Sequence, residues 1–271
     1  MSPFVRVLTS WLGADRWRGG RGTVRGVSVL RVASWNLFHG RAVPPVRRDL
    51  LGDYAAALAG ADWDLCGLQE VPPWWARPLA EAAGASGSVV RTSLLRGTLP
   101  AAQRAFGASD PERLGVRGAA VNVLLVRPTA GRIVGQRSAA LRRAPQRRTV
   151  HAVRIARPAG GAFWAANVHA HNRPADAAER DVVAALTHVR AWAGDEPAIL
   201  VGDLNLDTTA ARLVAARERL VWLAGQRVDH VLGTPGTSSP GQSVAFRPRT
   251  LDRSAVLSDH RLVVAPVQLP G

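Results

Sequence analysis

Ala198-Ile199-Leu200-Val201-Gly202-Asp203-Leu204-Asn205 runs from four apolar residues straight into an aspartate and an asparagine. A short apolar run behind Pro197 reads as a buried strand. Its end would place a charged oxygen and an amide side by side at a sheet edge, a suitable cradle for a water beside a phosphate oxygen. Taken alone, Gly-Asp-x-Asn is equally a turn, because Asp and Asn favour loop positions. Five other stretches share the form: Ser34-Trp35-Asn36, Gln69-Glu70, Asn167-Val168-His169, Asp229-His230 and Ser258-Asp259-His260 each fall just past a strand-like apolar run.

Working outward, strands and helices alternate. Val27–Trp35 alternates like a half-buried strand, and Leu50, Leu51, Tyr54 and Leu58 give residues 47–58 a helical spacing that Gly60 stops. Leu65–Leu68 is a strand, and Pro72-Pro73-Trp74-Trp75 opens a second helix, with the two tryptophans read as packing it. Strand-like runs follow at Ala119–Val126, Thr149–Ile155 and Phe163–Val168. A helix spans 173–192, with Val182, Ala185, Leu186, Val189 and Trp192 on one face and Gly194 after it. Pro197–Val201 is a strand, Thr208–Leu220 a helix, Val228–Leu232 a strand, and Arg261–Val267 a closing strand. The order defines an α/β layered domain. No repeat period and no dinucleotide-binding glycine fingerprint appears.

Composition narrows the classes. A chain of 271 residues with 47% hydrophobic content supports one large domain with a substantial core. No uninterrupted apolar stretch reaches the length of a bilayer span. The single cysteine, Cys66, excludes an intramolecular disulfide and a cysteine metal cluster, and its apolar neighbours give it a packing role. Net charge is +15, and all 35 basic residues are arginine. So exclusive a use of arginine points to codon bias as much as to function, so the charge supports an anionic partner and little more. Residues 1–26 are Gly/Arg-rich and read as a flexible basic leader, or as translation from a start placed too far upstream. Arg6, Thr9 and Ser10 interrupt the apolar Phe4–Leu12 stretch, so no signal peptide is read and the expected compartment is the cytoplasm. Residues 27–271 are read as the working domain, and 97–117 as a Gly/Pro/Arg-rich loop suited to a binding surface.

The polar groups at the strand ends share one chemistry. Glu70, Asp203 and Asp259 supply carboxylates, Asn36 and Asn205 amides, and His169 and His260 imidazoles, with Asp229 as a further acid. A few hard oxygen ligands suit Mg²⁺, with Mn²⁺ as a substitute, because Mg²⁺ keeps several waters and takes the rest of its shell from a phosphate. Imidazole and amide donors can neutralise the phosphate and hold an attacking water in line. An Asp229–His260 pair would fix the imidazole tautomer.

The order Trp-Asn, Gln-Glu, Asn-x-His, Gly-Asp-x-Asn, Asp-His-Val, Ser-Asp-His resembles the endonuclease/exonuclease/phosphatase superfamily of DNase I-like nucleases, sphingomyelinases and inositol-polyphosphate 5-phosphatases. The likeness runs from about Val27 to Val267. It implies a four-layered α/β sandwich, with two mainly antiparallel sheets face to face and helices outside, and a site where the strand ends converge. It further implies metal ligation by Glu70 with Asn36 and Asp259. Asp203 would activate the attacking water or protonate the leaving oxygen. Asn36, Asn205, His169 and His260 would bind the phosphate, and His260, oriented by Asp229, would contact it or act as base.

The implied function is a Mg²⁺-dependent phosphoric ester hydrolase, read first as a phosphodiesterase or endonuclease on nucleic acid and acting as a monomer. The alternatives are a phosphoesterase on phospholipid or inositol-phosphate-type substrates, and a non-catalytic module binding nucleic acid or another anion. Two departures bear on specificity: the Asn205–Asp229 interval is short, and Val71-Pro72-Pro73 follows Glu70 where exonuclease III-like AP endonucleases often have Thr-Lys. A zinc site on His169 and His171 lacks a third ligand of suitable spacing. His171 and Asn172 are candidates to line the pocket, whereas His39, His151 and His188 read as surface or core residues. Arg147-Arg148 reads as a solvated edge. A serine-hydrolase triad on Ser258 fails for want of a nucleophile elbow.

Overall fold

A computed structural model describes residues 29–92, 120–142, 147–172 and 174–270. The basic leader and the 97–117 loop lie outside the described residues. The first sheet contains β1 (Val29–Asn36), β3 (Leu65–Val71), β4 (Ser86–Arg91), β5 (Val121–Val126), β12 (Val244–Phe246) and β14 (Leu262–Gln268), in the order β12-β14-β1-β3-β5-β4. The second contains β6 (Arg132–Arg142), β7 (Arg148–Ala156), β8 (Ala162–His169), β9 (Ala198–Asp203), β10 (Val221–Gln226) and β11 (Asp229–Gly233), in the order β10-β11-β9-β8-β7-β6. A two-residue ribbon pairs β2 (Ala42–Val43) with β13 (Val256–Leu257).

Each large sheet is antiparallel except at one central pair, β1 with β3 and β8 with β9. A parallel pair needs a crossover on the outside of the sheet. Helix α1 (Leu51–Gly60) makes the first crossover and α3 (Ala175–Ala193) the second. Helices α2 (Ala76–Ala82) and α4 (Thr208–Arg217) complete the outer layers. Asp207 caps α4, its carboxylate accepting from Ala210 N at 2.8 Å.

Side-chain parity assigns the layers. Ala33, Trp35, Cys66 and Leu68 pack outward with Tyr54, Leu58, Trp75 and Leu79, so α1 and α2 cover the first sheet. Ala166, Val168 and Leu200 pack outward with Val182, Leu186, Val189 and Val214, so α3 and α4 cover the second. Val32, Leu65, Leu124, Val153, Phe163, Ile199 and Val201 fill the space between the sheets. The molecule is therefore the four-layered α/β sandwich. Gly67 lets the sheets close up, since a Cβ there would overlap Val201.

Several boundaries differ from the sequence reading. Pro72–Trp75 forms a turn before α2, and β3 continues through Glu70 to Val71. Strands β4, β6, β10 and β12 were not anticipated. All four lie at sheet edges, where both faces of β6 are largely exposed and its register against β7 shifts twice. Inward alternation is then too weak to read. Ser258-Asp259-His260 follows the short β13, as the sequence reading has it, but the strands that these two motifs lead into are β11, which Asp229 opens, and β14. Both strands run antiparallel to a neighbour carrying a site residue at its far end, which delivers all of these groups to one edge of the sandwich. Among the described residues no helix is long and apolar enough to cross a membrane.

Candidate active site

The carboxyl ends of the two parallel pairs supply the first four groups. Asn36 ends β1 opposite Gln69 of β3, and His169 ends β8 opposite Asp203 of β9. Asp229 faces Asp203 across the β11–β9 ladder. Asn36 Nδ2 donates to Asp203 Oδ2 at 3.0 Å, joining the two sheets through the site. His169 Nε2 lies 3.5 Å from Asp203 Oδ2 and 3.9 Å from Glu70 Oε1. His260 Nδ1 lies 2.8 Å from Asp229 Oδ2, while its Nε2 is 3.8 Å from Asp203 Oδ2 and 3.9 Å from Asp259 Oδ1. Asn205 N donates to Asp203 Oδ1 at 3.1 Å, and its side-chain amide donates to Ala170 O at 3.0 Å, which leaves one amide proton uncommitted among the described residues. Groups from six chain segments thus meet in one cleft, with Asp259 the most exposed at 47%.

Glu70 reaches this cleft against the parity of its strand. Leu68 faces α1 and α2, so regular pleating would send Glu70 the same way. Instead the β3–β5 register shifts between Leu68 and Val71, and Glu70 takes φ +52°. A bulge that re-aims one side chain is a recurrent device beside functional sites. Asn167 braces the spot: its Nδ2 donates to Leu68 O and Val123 O, both at 2.9 Å, and its Oδ1 accepts from Gln69 Nε2 at 2.8 Å. The Gln69-Glu70 and Asn-x-His motifs therefore each pair a bracing amide with a residue of the cleft. Ser258, at φ +64°, does the same for the last motif. Its Oγ donates to Asn36 O at 2.7 Å and accepts from His260 N at 3.0 Å.

Two further groups depart from the sequence reading. His39 is neither a surface nor a core histidine, since its Nε2 lies 3.1 Å from Glu70 Oε2. Arg148 is no solvated edge: it is 7% exposed, and its charge acts on Glu70, Asp203, His39, His169 and His171. His171 is buried, with its backbone N on Asp181 Oδ2 at 3.0 Å, whereas Asn172 is exposed. His151 is a core residue against Ser88, away from the cleft. His230 faces away too, its Nε2 on Leu206 O at 2.9 Å.

Burial and mutual repulsion hold the acids up. Glu70 is raised to about 7, by burial first and then by the Asp203 charge. Burial raises Asp203, and it raises Asp229 to about 7. For His260 burial works downward, but the Asp229 hydrogen bond and the Asp229, Asp203 and Asp259 charges prevail and lift it to about 9. Burial, helped by Arg148, pushes His169 well down. Buried, clustered carboxylates are a donor set that a divalent cation satisfies. Asp203, Asp229 and His260 each offer an atom within 4.8 Å of the others, a grouping separate from Asn36, Glu70 and Asp259, and among the described residues Asp229 Oδ1 has no hydrogen-bond partner.

Known proteins resemble this chain in family and in fold. The model of the Endonuclease/Exonuclease/phosphatase family matches residues 33–260. The chain belongs to that family. No curated protein matches it. Among solved structures, an endonuclease/exonuclease/phosphatase from Beutenbergia cavernae is 22% identical with TM-score 0.66, over 90% of this chain and 72% of that one. A mannosyl-6-phosphatase of Bacteroides thetaiotaomicron is 18% identical with TM-score 0.63, over 88% and 99%. D. rerio TDP2, complexed with a single-strand DNA product, is 14% identical with TM-score 0.62, over 89% and 99%. These likenesses establish the shared fold.

Proposed function

We propose that this chain hydrolyses phosphodiesters with the help of a divalent cation, nucleic acid being the substrate class to test first. The observation that carries the reading is the convergence of Glu70, Asp203, Asp229, His169 and His260 in one cleft beside the buried cation Arg148. Asn36, Glu70 and Asp259 would hold Mg²⁺ or Mn²⁺, which when bound supplies positive charge to the phosphate oxygens. His169, Asn205 and Arg148 line the cleft with donors for the same oxygens. Asp203, fixed by Asn36 and Asn205, either takes the proton of the attacking water or returns one to the leaving oxygen. His260, fixed by Asp229, serves the complementary step or contacts the phosphate. The net charge of +15 favours a polyanion, and a DNA product is bound in TDP2, which shares the fold.

A phosphomonoesterase or lipid phosphoesterase is the second reading, favoured by the shared fold of the mannosyl-6-phosphatase. A panel of DNA, RNA, phospholipid and inositol-phosphate substrates with Mg²⁺ or Mn²⁺ separates these, run beside Asp203→Ala and His260→Ala. The reading expects metal-dependent release of product on one class, lost in both variants. Full activity in excess chelator contradicts it. Salt-sensitive nucleic-acid binding without turnover under any metal would make the chain a binding module.

A further inference from the structure

His39 occupies a turn that the surrounding structure over-determines. Phe38 and His39 follow one another at φ +51° and +56°, in the left-handed region that non-glycine residues avoid. Phe38 N donates to Asn36 Oδ1 at 2.9 Å, Gly40 N to Leu37 O at 2.8 Å, and Arg41 N to Phe38 O at 3.1 Å. The Arg41 guanidinium lies 3.6 Å from the Phe38 ring centroid. Gly40, at φ +80°, sits so close to the Trp75 indole that a Cβ would overlap it. A turn of this shape is met at less steric cost by Gly or Asn. What histidine adds is an imidazole nitrogen aimed at Glu70.

That nitrogen, Nε2, is 3.1 Å from Glu70 Oε2. Two neighbouring ligands of an octahedral ion with bonds of ~2.1 Å stand about 3.0 Å apart, so one ion can be shared by both atoms. We propose that His39 is a nitrogen donor to the divalent cation held at Glu70, and that it shifts the site's preference from Mg²⁺ towards transition ions such as Mn²⁺. The inference rests on the metal-dependent reading given under the proposed function. Its chemical basis is ligand softness: Mg²⁺ favours oxygen and keeps its waters, whereas imidazole suits first-row transition ions.

The test uses the full chain, free of metal and then titrated with Mn²⁺ or Mg²⁺ by calorimetry, with pulsed electron paramagnetic resonance on the Mn²⁺ form. The wild type should bind Mn²⁺ more tightly than Mg²⁺ and show ¹⁴N coupling to the bound ion. His39→Asn suits the backbone and is too short to reach the ion. It should lose that coupling and weaken Mn²⁺ binding on the order of tenfold, with Mg²⁺ affinity and metal-free melting temperature nearly unchanged. His39→Gly should behave likewise, and His169→Gln should keep the coupling. Loss of both ions in Glu70→Gln, together with an unchanged ¹⁴N signal and Mn²⁺/Mg²⁺ ratio in His39→Asn, overturns the donor role of His39 alone. Undisturbed binding of both ions in Glu70→Gln overturns the metal reading of that residue and this inference with it.

Discussion

His260 Nδ1 and Asp229 Oδ2 stand 2.8 Å apart, joining the loop before β14 to the first residue of β11. The contact fixes the imidazole so that Nε2 faces Asp203 and Asp259. Replacing the acceptor by an amide presents an N–H to Nδ1 and disturbs the tautomer. Asp229→Asn should therefore lower kcat by roughly 10²–10³ with little change in KM. Steady-state kinetics on the substrate selected by the panel reads this directly, and an unchanged kcat contradicts the orienting role.

Glu70 is held at φ +52° with its carboxyl buried near other acids. Both features oppose folding, and only the site benefits. Glu70→Gly should abolish activity while raising metal-free stability by about 1 kcal/mol, because glycine accepts the bulge without steric cost. Chemical denaturation compares the two proteins; a destabilised variant argues that the bulge is not strained.

Arg127 tests the scaffold away from the chemistry. Its guanidinium donates to Leu58 O, Ala59 O, Ala61 O, Trp63 O and Ala83 O and lies 4.0 Å from the Trp63 ring centroid. It thereby satisfies carbonyls at the ends of α1 and α2 that have no partner within a helix. Arg127→Ala should cost about 2–4 kcal/mol of stability, and Arg127→Lys should recover less than half, since an ammonium cannot reproduce the planar fork. Equal stability of Lys and Arg variants in urea denaturation would contradict this.

His151 makes stability depend on pH. Burial lowers it from 6.5 to about 4, so between those values the unfolded chain binds more protons than the folded one. Its contribution is complete above pH 6.5 and is lost as pH falls, amounting to up to about 3 kcal/mol at pH 4. His151→Asn should flatten the stability curve over this interval. Denaturation at pH 7, 5 and 4 checks it, and parallel curves for the two proteins exclude the effect.

The strands were legible because buried ones read as short apolar runs, Leu65–Leu68 and Pro197–Val201 among them, whereas the four layers followed from the resemblance: with both faces buried, these runs carry no alternation to tell the inner core of Ile199 and Val201 from the outer one. The motif residues were legible because strand ends place them together. Glu70 was found by its motif alone, since pleating sends it to the wrong face and only the bulge corrects this. His39 escaped because its approach to Glu70 depends on two left-handed residues in succession, which no periodicity signals. Arg148 escaped because, in a chain with 35 arginines, nothing in the sequence marks one as buried. The edge strand β6 escaped because its exposed faces carry no inward pattern.

The central claim is that the acids of this cleft act with a divalent cation on a phosphate ester. The most direct measurement is the initial rate of hydrolysis of an activated phosphodiester against Mg²⁺ or Mn²⁺ concentration, for the wild type and Asp203→Asn. The account predicts a saturable metal dependence in the wild type, abolished by chelator, and a rate in the variant lower by at least about 10² at saturating metal. A metal-independent rate, or equal rates for the two proteins, contradicts it.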